Sequence, residues 1–252
     1  MLKPPSDRIW ADPFVVKKKD SFFIFFEEKL NKVSNAHISC LQFNSAGILK
    51  NAKPEIVLKE KHHLSYPFIF LDNGVEYMIP EAADSDELSL YKAAAFPSNW
   101  KKIKTLLTGK KIYDATVHFH EGYWYLFCSG KIDNTLSADA YLYIYYTKDI
   151  FNEPLLPHPL NPVYRDVRNS RPAGKIFKWM DNLIRPSQVS APDYGSKIQL
   201  NCIKKLSIDH FEEEMSDIIS PDWNNKISGI HTINYSEGFS VADIQTRRSK
   251  WF

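Results

Sequence analysis

Carboxylates stand beside short apolar runs along this chain, and the runs themselves recur as hairpins at intervals of roughly fifty residues. Asp12 stands in Trp10-Ala-Asp-Pro13, Glu81 closes Tyr77-Met-Ile-Pro-Glu81, and Asp114 stands in Tyr113-Asp-Ala-Thr-Val117. Carboxylates gathered in one concave site push each other's pKa apart, so one keeps its proton as a general acid while another stays ionised as base or nucleophile. Cleavage or transfer of a glycosyl unit uses such a pair, and Asp12, Asp114 and Glu81 are the working set expected for it. Around them, Trp10 and Tyr66 offer aromatic faces to a sugar ring. Arg171 and Arg185 offer forks that either grip a phosphate or carboxylate or pair with the acids, while Glu27, Gln188 and His231 add polar contacts.

These side chains meet only if the fold brings distant segments to one place. Five hairpins can be written, near 12–27, 66–81, 114–129, 171–188 and 231–243, with turns at Lys19-Asp20, Asp72-Asn-Gly74 and His120-Glu-Gly122. Runs such as Leu88-Ser-Leu-Tyr-Lys92, Leu142-Tyr-Ile-Tyr-Tyr-Thr147 and Ile198-Gln-Leu-Asn-Cys-Ile203 supply outer strands. Helical periodicity is scarce. The expected fold is all-β, a five-bladed β-propeller spanning residues 1–252 as one domain. A β-sandwich would hold similar hairpins but gives no reason for polar residues at the same place in every repeat. In a propeller, Asp12, Tyr66, Asp114, Arg171 and His231 align on one axis, and the returning strands bring Glu27, Glu81, Ser129, Ser187 and Asp243 to the same end.

Composition narrows the partners. With 44% hydrophobic and 14% aromatic residues the chain can bury a core, and 32 Lys and Arg against 30 Asp and Glu leave a net charge of +2. That balance gives no field for a polyanion, so nucleic acid is not an expected partner. Cys40, Cys128 and Cys202 are odd in number and far apart, which predicts free thiols and a reducing, cytoplasmic location. No segment reaches the ~18 apolar residues of a membrane span. His118 and His120 share a strand face but lack a partner at matching spacing, so no metal is expected, nor any cofactor. Glu212–Glu214 reads as a solvated face and Lys17–Lys19 as a turn.

The acidic motifs at Trp10–Pro13 and Tyr113–Val117 resemble those of the five-bladed glycoside hydrolase propellers, the arabinanase, xylosidase and invertase group. A closer likeness covers nearly the whole chain. Ser65-Tyr-Pro-Phe68, Tyr77–Glu81, Ser170-Arg-Pro-Ala-Gly174, Ile184-Arg-Pro-Ser-Gln188 and Gly229-Ile-His-Thr-Ile-Asn234 resemble the N-terminal domain family of glucosamine inositolphosphorylceramide transferase. The hydrolase resemblance implies Asp12 as base or nucleophile and Asp114 as a transition-state or pKa-tuning partner. It also implies a Glu in the fourth blade, where this chain has Arg171, and Glu81 is the substitute acid. The expected ligand is a sugar or glycoconjugate, with a phosphate-bearing or nucleotide sugar left open. The expected role is glycosyl cleavage or transfer; the alternative is a non-catalytic sugar-binding module beside a separate glycosyltransferase.

Overall fold

Ser21-Phe-Phe-Ile-Phe-Phe-Glu27 is apolar on both strand faces, and a strand of that kind must be covered on both sides. A computed structural model, which describes residues 1–131 and 137–246, meets that need by stacking antiparallel sheets face to face around an axis. The first sheet is β1 (Arg8–Lys18), β2 (Ser21–Leu30), β3 (His37–Asn44) and β4 (Glu55–Leu58). The second is β5 (Ser65–Asp72), β6 (Val75–Glu81), β7 (Glu87–Ala95) and β8 (Asn99–Thr108). The third is β9 (Lys111–His120), β10 (Tyr123–Lys131), β11 (Leu142–Thr147) and β12 (Leu156–Pro157), and the fourth β13 (Phe177–Trp179), β14 (Asn182–Val189), β15 (Lys197–Leu206) and β16 (Phe211–Ile219). Each is a meander with neighbours in chain order. The architecture is an all-β propeller.

Core packing lies between successive sheets. Phe25, Ile38, Ile69, Met78 and Trp100 fill the first interface; Phe68, Ile79, Leu90, Val117 and Leu126 the second; Tyr125, Phe127, Ile144 and Ile203 the third. Cys40, Cys128 and Cys202 are buried and free. Among the described residues no helix is long and apolar enough to cross a membrane.

Two expectations need correction. The described residues form four four-stranded blades and not five. The fifth repeat forms β17 (Ile227–Gly229), β18 (Ile233–Ser236), β19 (Phe239–Ala242) and β20 (Gln245–Thr246), paired as the separate two-stranded sheets β17–β20 and β18–β19. The ladder breaks because the N–H groups of His231 and Thr232 donate to the Asp243 carboxylate, 3.1 and 3.0 Å away, and not to a strand. The fourth hairpin also starts later than expected. Residues 171–176 are irregular apart from a bridge between Pro172 and Ser187, because Pro172 has no N–H to give and Gly174 turns at φ 137°.

That turn serves the axis. The Tyr66 hydroxyl lies 2.9 Å from Thr116 Oγ1 and accepts the Gly174 N–H at 2.7 Å, tying the second, third and fourth blades together. A side chain at Gly174 would run into the carbonyl oxygen of Ile233. We therefore expect Gly174→Ala to cost about 3 kcal/mol or more in denaturant unfolding. Gly109→Ala, at φ 68° with open space around it, should lose no more than about 1–2 kcal/mol.

Candidate functional site

Asp12, Tyr66 and Asp114 share a backbone device that the sequence does not advertise. Each sits at a register break, between Ala11 and Phe14, Ser65 and Phe68, or opposite the Phe127/Ser129 shift. Each has left-handed φ, at 52°, 39° and 50°. Asp tolerates that conformation, whereas Tyr adopts it only under compulsion. A bulge of this kind re-aims one residue out of the ladder and frees its N–H. All three freed N–H groups donate to carboxylates: Asp12 to Asp243 Oδ2 at 3.0 Å, Tyr66 to Asp12 Oδ2 at 3.3 Å, and Asp114 to Glu81 Oε2 at 3.0 Å.

Side chains complete the network. Asp12 Oδ1 accepts from Thr232 Oγ1 at 2.7 Å and lies 3.2 Å from His231 Nε2, while His231 Nδ1 faces Asp243 Oδ2 at 3.0 Å. Asp114 Oδ2 accepts from Arg171 Nε at 2.5 Å and Gln188 Nε2 at 2.6 Å. Arg171 also reaches Asp139 Oδ1 at 2.7 Å through Nη1, and its Nη2 lies 3.8 Å from Glu81 Oε2. Its guanidinium is flanked by two rings, with Cζ 5.5 Å from the Tyr113 centroid and 5.1 Å from that of Tyr194. Glu27 is buried nearby and meets His63 Nε2 at 3.3 Å.

The electrostatics divide the acids. Burial works to raise Asp12, but the bond to His231, that ring's charge and the Thr232 hydroxyl outweigh it and hold Asp12 below the usual carboxylate range. His231 rises well above the ordinary imidazole value because the Asp243 charge and its bonds to Asp12 and Asp243 overcome burial. Burial and the adjacent Asp114 charge push Glu81 well up. Asp114 is raised by burial, with Arg171 opposing, and Glu27 is raised by burial and by the Asp12 charge. A proton kept on Glu81 and none on Asp12 is the split that acid–base chemistry needs.

The structure therefore gathers Asp12, Glu27, Glu81, Asp114, Arg171, Gln188 and His231 at one end of the axis. It places three other candidates elsewhere or in another role. Tyr66 is fully buried with its hydroxyl spent on the fold, so it has no face for a sugar. Arg185 is 1% exposed and pairs with Glu213 inside the fourth blade, with Asn169 O accepting a further bond. Trp10 donates to Glu28 at 2.9 Å and packs on Phe26, where it lines an apolar groove of 680 Å³ between the first blade and the final hairpin. That groove meets the acid network only at Asp243.

Residues 3–232 match the family model described as glucosamine inositolphosphorylceramide transferase 1, N-terminal. The chain belongs to this family. A relative named glucosamine inositolphosphorylceramide transferase 1, from Oryza sativa subsp. japonica, is 34% identical over 208 residues, covering 81% of this chain and 27% of its own length. The chain thus spans about a quarter of the curated relatives it matches. Among solved structures, the family 117 glycoside hydrolase Zg3597 of Zobellia galactanivorans aligns with TM-score 0.64 at 15% identity, over 85% of this chain and 71% of that one. The catalytic domain of the Coprinopsis cinerea GH62 α-L-arabinofuranosidase aligns with TM-score 0.65 at 12% identity, over 91% and 78%. At such identities these likenesses concern the fold.

In this member of the transferase N-terminal family, several site residues escaped the sequence reading. Asp243 stood at an aligned strand end, and its capping of the Asp12, His231 and Thr232 N–H groups was the missed part. Tyr113 was quoted only as part of a motif. Tyr194, Asp139 and His63 sit outside the repeat, and nothing in their spacing marks them. Asp12, His231 and Asp243 bring donor atoms within 4.8 Å of one another and are the group that could hold a cation. Both ring nitrogens of His231 already face carboxylates, so the imidazolium itself supplies positive charge there.

Two measurements check these assignments. A carboxyl held protonated by the fold binds a proton that the unfolded chain has lost, so stability falls as pH rises from the ordinary Glu value towards the raised folded one. Glu81→Gln keeps the shape of the neutral acid, and its unfolding free energy between pH 5 and 8 should decline less steeply than that of the native chain. Glu213→Ala, which strands the Arg185 guanidinium inside the fourth blade, should cost about 3–5 kcal/mol, and an Arg185→Met, Glu213→Met pair should recover most of that loss.

Proposed function

We propose that this domain recognises the sugar portion of a glycoconjugate and works beside a glycosyltransferase in glycan assembly. The observation that carries the reading is Arg171. It stands where the resemblance to hydrolases calls for a proton donor, and its nitrogens face Asp114, Asp139 and Glu81. An arginine there cannot protonate a leaving oxygen at neutral pH, because its guanidinium does not give up a proton. Asp12 points the same way: three donors already converge on its two oxygens, and it is 6% exposed. Carboxylates held this firmly are suited to accept hydroxyl hydrogen bonds in a fixed pattern, which is how sugar sites discriminate. The relatives' name, glucosamine inositolphosphorylceramide transferase 1, and the quarter of their length that this chain spans support a sugar-handling module attached to, or partnered by, a transferase. Three buried free thiols fit a reducing compartment such as the cytoplasm.

A second reading rests on the divided acids. With Glu81 protonated and Asp12 ionised, the pair could act as acid and base in glycosyl cleavage or transfer, with Asp114 tuning Glu81.

One series of experiments separates the two. The purified chain should bind glucosamine, turn over no nitrophenyl glycoside or nucleotide sugar, and lose about ten-fold in affinity on both Asp12→Asn and Asp114→Asn. Turnover that Asp12→Asn abolishes while binding survives would establish the second reading. In that case Glu81→Gln should be rescued by substrates with good leaving groups, which need no proton.

A further inference from the structure

Asp12, Glu27, Glu81 and Asp114 are 2–9% exposed, the Arg171 and His231 side chains beside them 13% and 20%, and Tyr194, against both cations, 47%. The site is thus layered: carboxylates at the floor, cations over them, and one aromatic ring outermost. Tyr194 lies 5.6 Å from the His231 ring and 5.1 Å from the Arg171 guanidinium carbon. Its position is built, not incidental. The following Gly195 passes so close to His231 that a Cβ there would lie 2.8 Å from the His231 Cβ, and the Gly195 carbonyl accepts the Ile230 N–H at 2.9 Å. The loop after β14 is thereby pinned onto the fifth repeat, with the tyrosine ring against both cations. The two aromatics foreseen for a sugar face, Trp10 and Tyr66, are spent elsewhere.

The floor beneath these cations has a feature of its own. Gln188 is fully buried, and its Nε2 is committed to Asp114 and to the Pro172 carbonyl at 2.9 Å. Its Oε1 has no partner among the described residues. A buried amide oxygen left unpaired is costly, so the floor around Asp114 is held in place at the expense of that one acceptor.

The charges around the opening decide what the sugar can carry. Even with Glu27 and Glu81 left out, the carboxylates Asp12, Asp114, Asp139 and Asp243 outnumber Arg171, His63 and His231, and each nitrogen of Arg171 is turned towards a carboxylate. An incoming phosphate finds no free fork and meets an excess of like charge.

We propose that Tyr194 is the sugar-stacking face of this pocket and that Arg171 beneath it screens carboxylates instead of anchoring a phosphate, so the site takes a sugar ring that bears no phosphate. The proposal rests on the sugar-recognition reading and adds to it the contact residue and the excluded ligand class. It removes the phosphate-bearing and nucleotide sugars left open by the sequence, at least for this pocket.

The test uses the full chain and three probes, glucose, glucosamine and glucose 1-phosphate, with affinities from saturation-transfer NMR titrations. Glucose and glucosamine should bind, and glucose 1-phosphate should bind at least ten-fold more weakly than glucose. Tyr194→Ala, with an unchanged circular dichroism spectrum, should weaken glucose about three- to ten-fold, and Tyr194→Phe should recover most of the loss, because the ring and not the hydroxyl makes the contact. Equal binding by Tyr194→Ala and the native chain, or tighter binding of glucose 1-phosphate than of glucose, would overturn this proposal and leave the sugar-recognition reading in place. Absence of binding by the native chain to all three probes would overturn both.

Discussion

Carboxylates cannot be buried around a common axis without donors to hold them, and the rest of this structure follows from how those donors are found. Two cationic side chains supply part of the need, and backbone N–H groups supply much of the remainder. For the backbone to contribute, three inner strands must break their ladders at the same height, which is what the bulges at Asp12, Tyr66 and Asp114 do. Strain in the inner strands and charge at the axis are therefore two sides of one arrangement. Neither would persist alone: an unbulged strand leaves its carboxylate bare, and a bulge without a carboxylate leaves an N–H unpaired.

Much of the fold was legible because apolar runs such as those at Phe22–Phe26 and Tyr123–Cys128 announce strands covered on both faces, and turns such as Asp72-Asn-Gly74 set the hairpins. The blade count was not. The fifth hairpin reads like the others in sequence, yet its described residues supply only an interrupted pair, β17–β20 and β18–β19, broken where the His231 and Thr232 N–H groups turn to Asp243, with no outer strands beside it among the described residues. In the fourth hairpin, Arg171-Pro-Ala-Gly-Lys-Ile-Phe looks strand-like by composition, but the proline and the close pass of Gly174 by Ile233 prevent a ladder.

The site was legible to the extent that the repeat marks it. Asp12, Asp114, Arg171 and His231 occupy aligned positions and do meet, although the alignment could not say that the arginine would neutralise the acids. Tyr66 shows the limit of that logic, since an aligned aromatic can face the axis and still be wholly consumed by the fold. Arg185 shows another: a polar residue within a repeat can turn into its own blade to meet an outer strand. Tyr194 belongs to the loop between β14 and β15, outside the aligned strands, so only three-dimensional proximity reveals it.

The clasp between the two ends of the ring has a bearing on how the molecule comes into being. Asp12 receives its Thr232 and His231 partners and gives its own N–H to Asp243, across more than two hundred intervening residues. Contacts of such separation form late, after the intervening loop has been closed by the blades themselves. During synthesis the first four blades can collapse while Asp12 still lacks those partners. Ring closure and completion of the Asp12 half of the site are then a single event, so a chain interrupted before residue 231 would hold most of its core and the contacts among Glu81, Asp114 and Arg171, but would leave Asp12 without its Thr232, His231 and Asp243 partners.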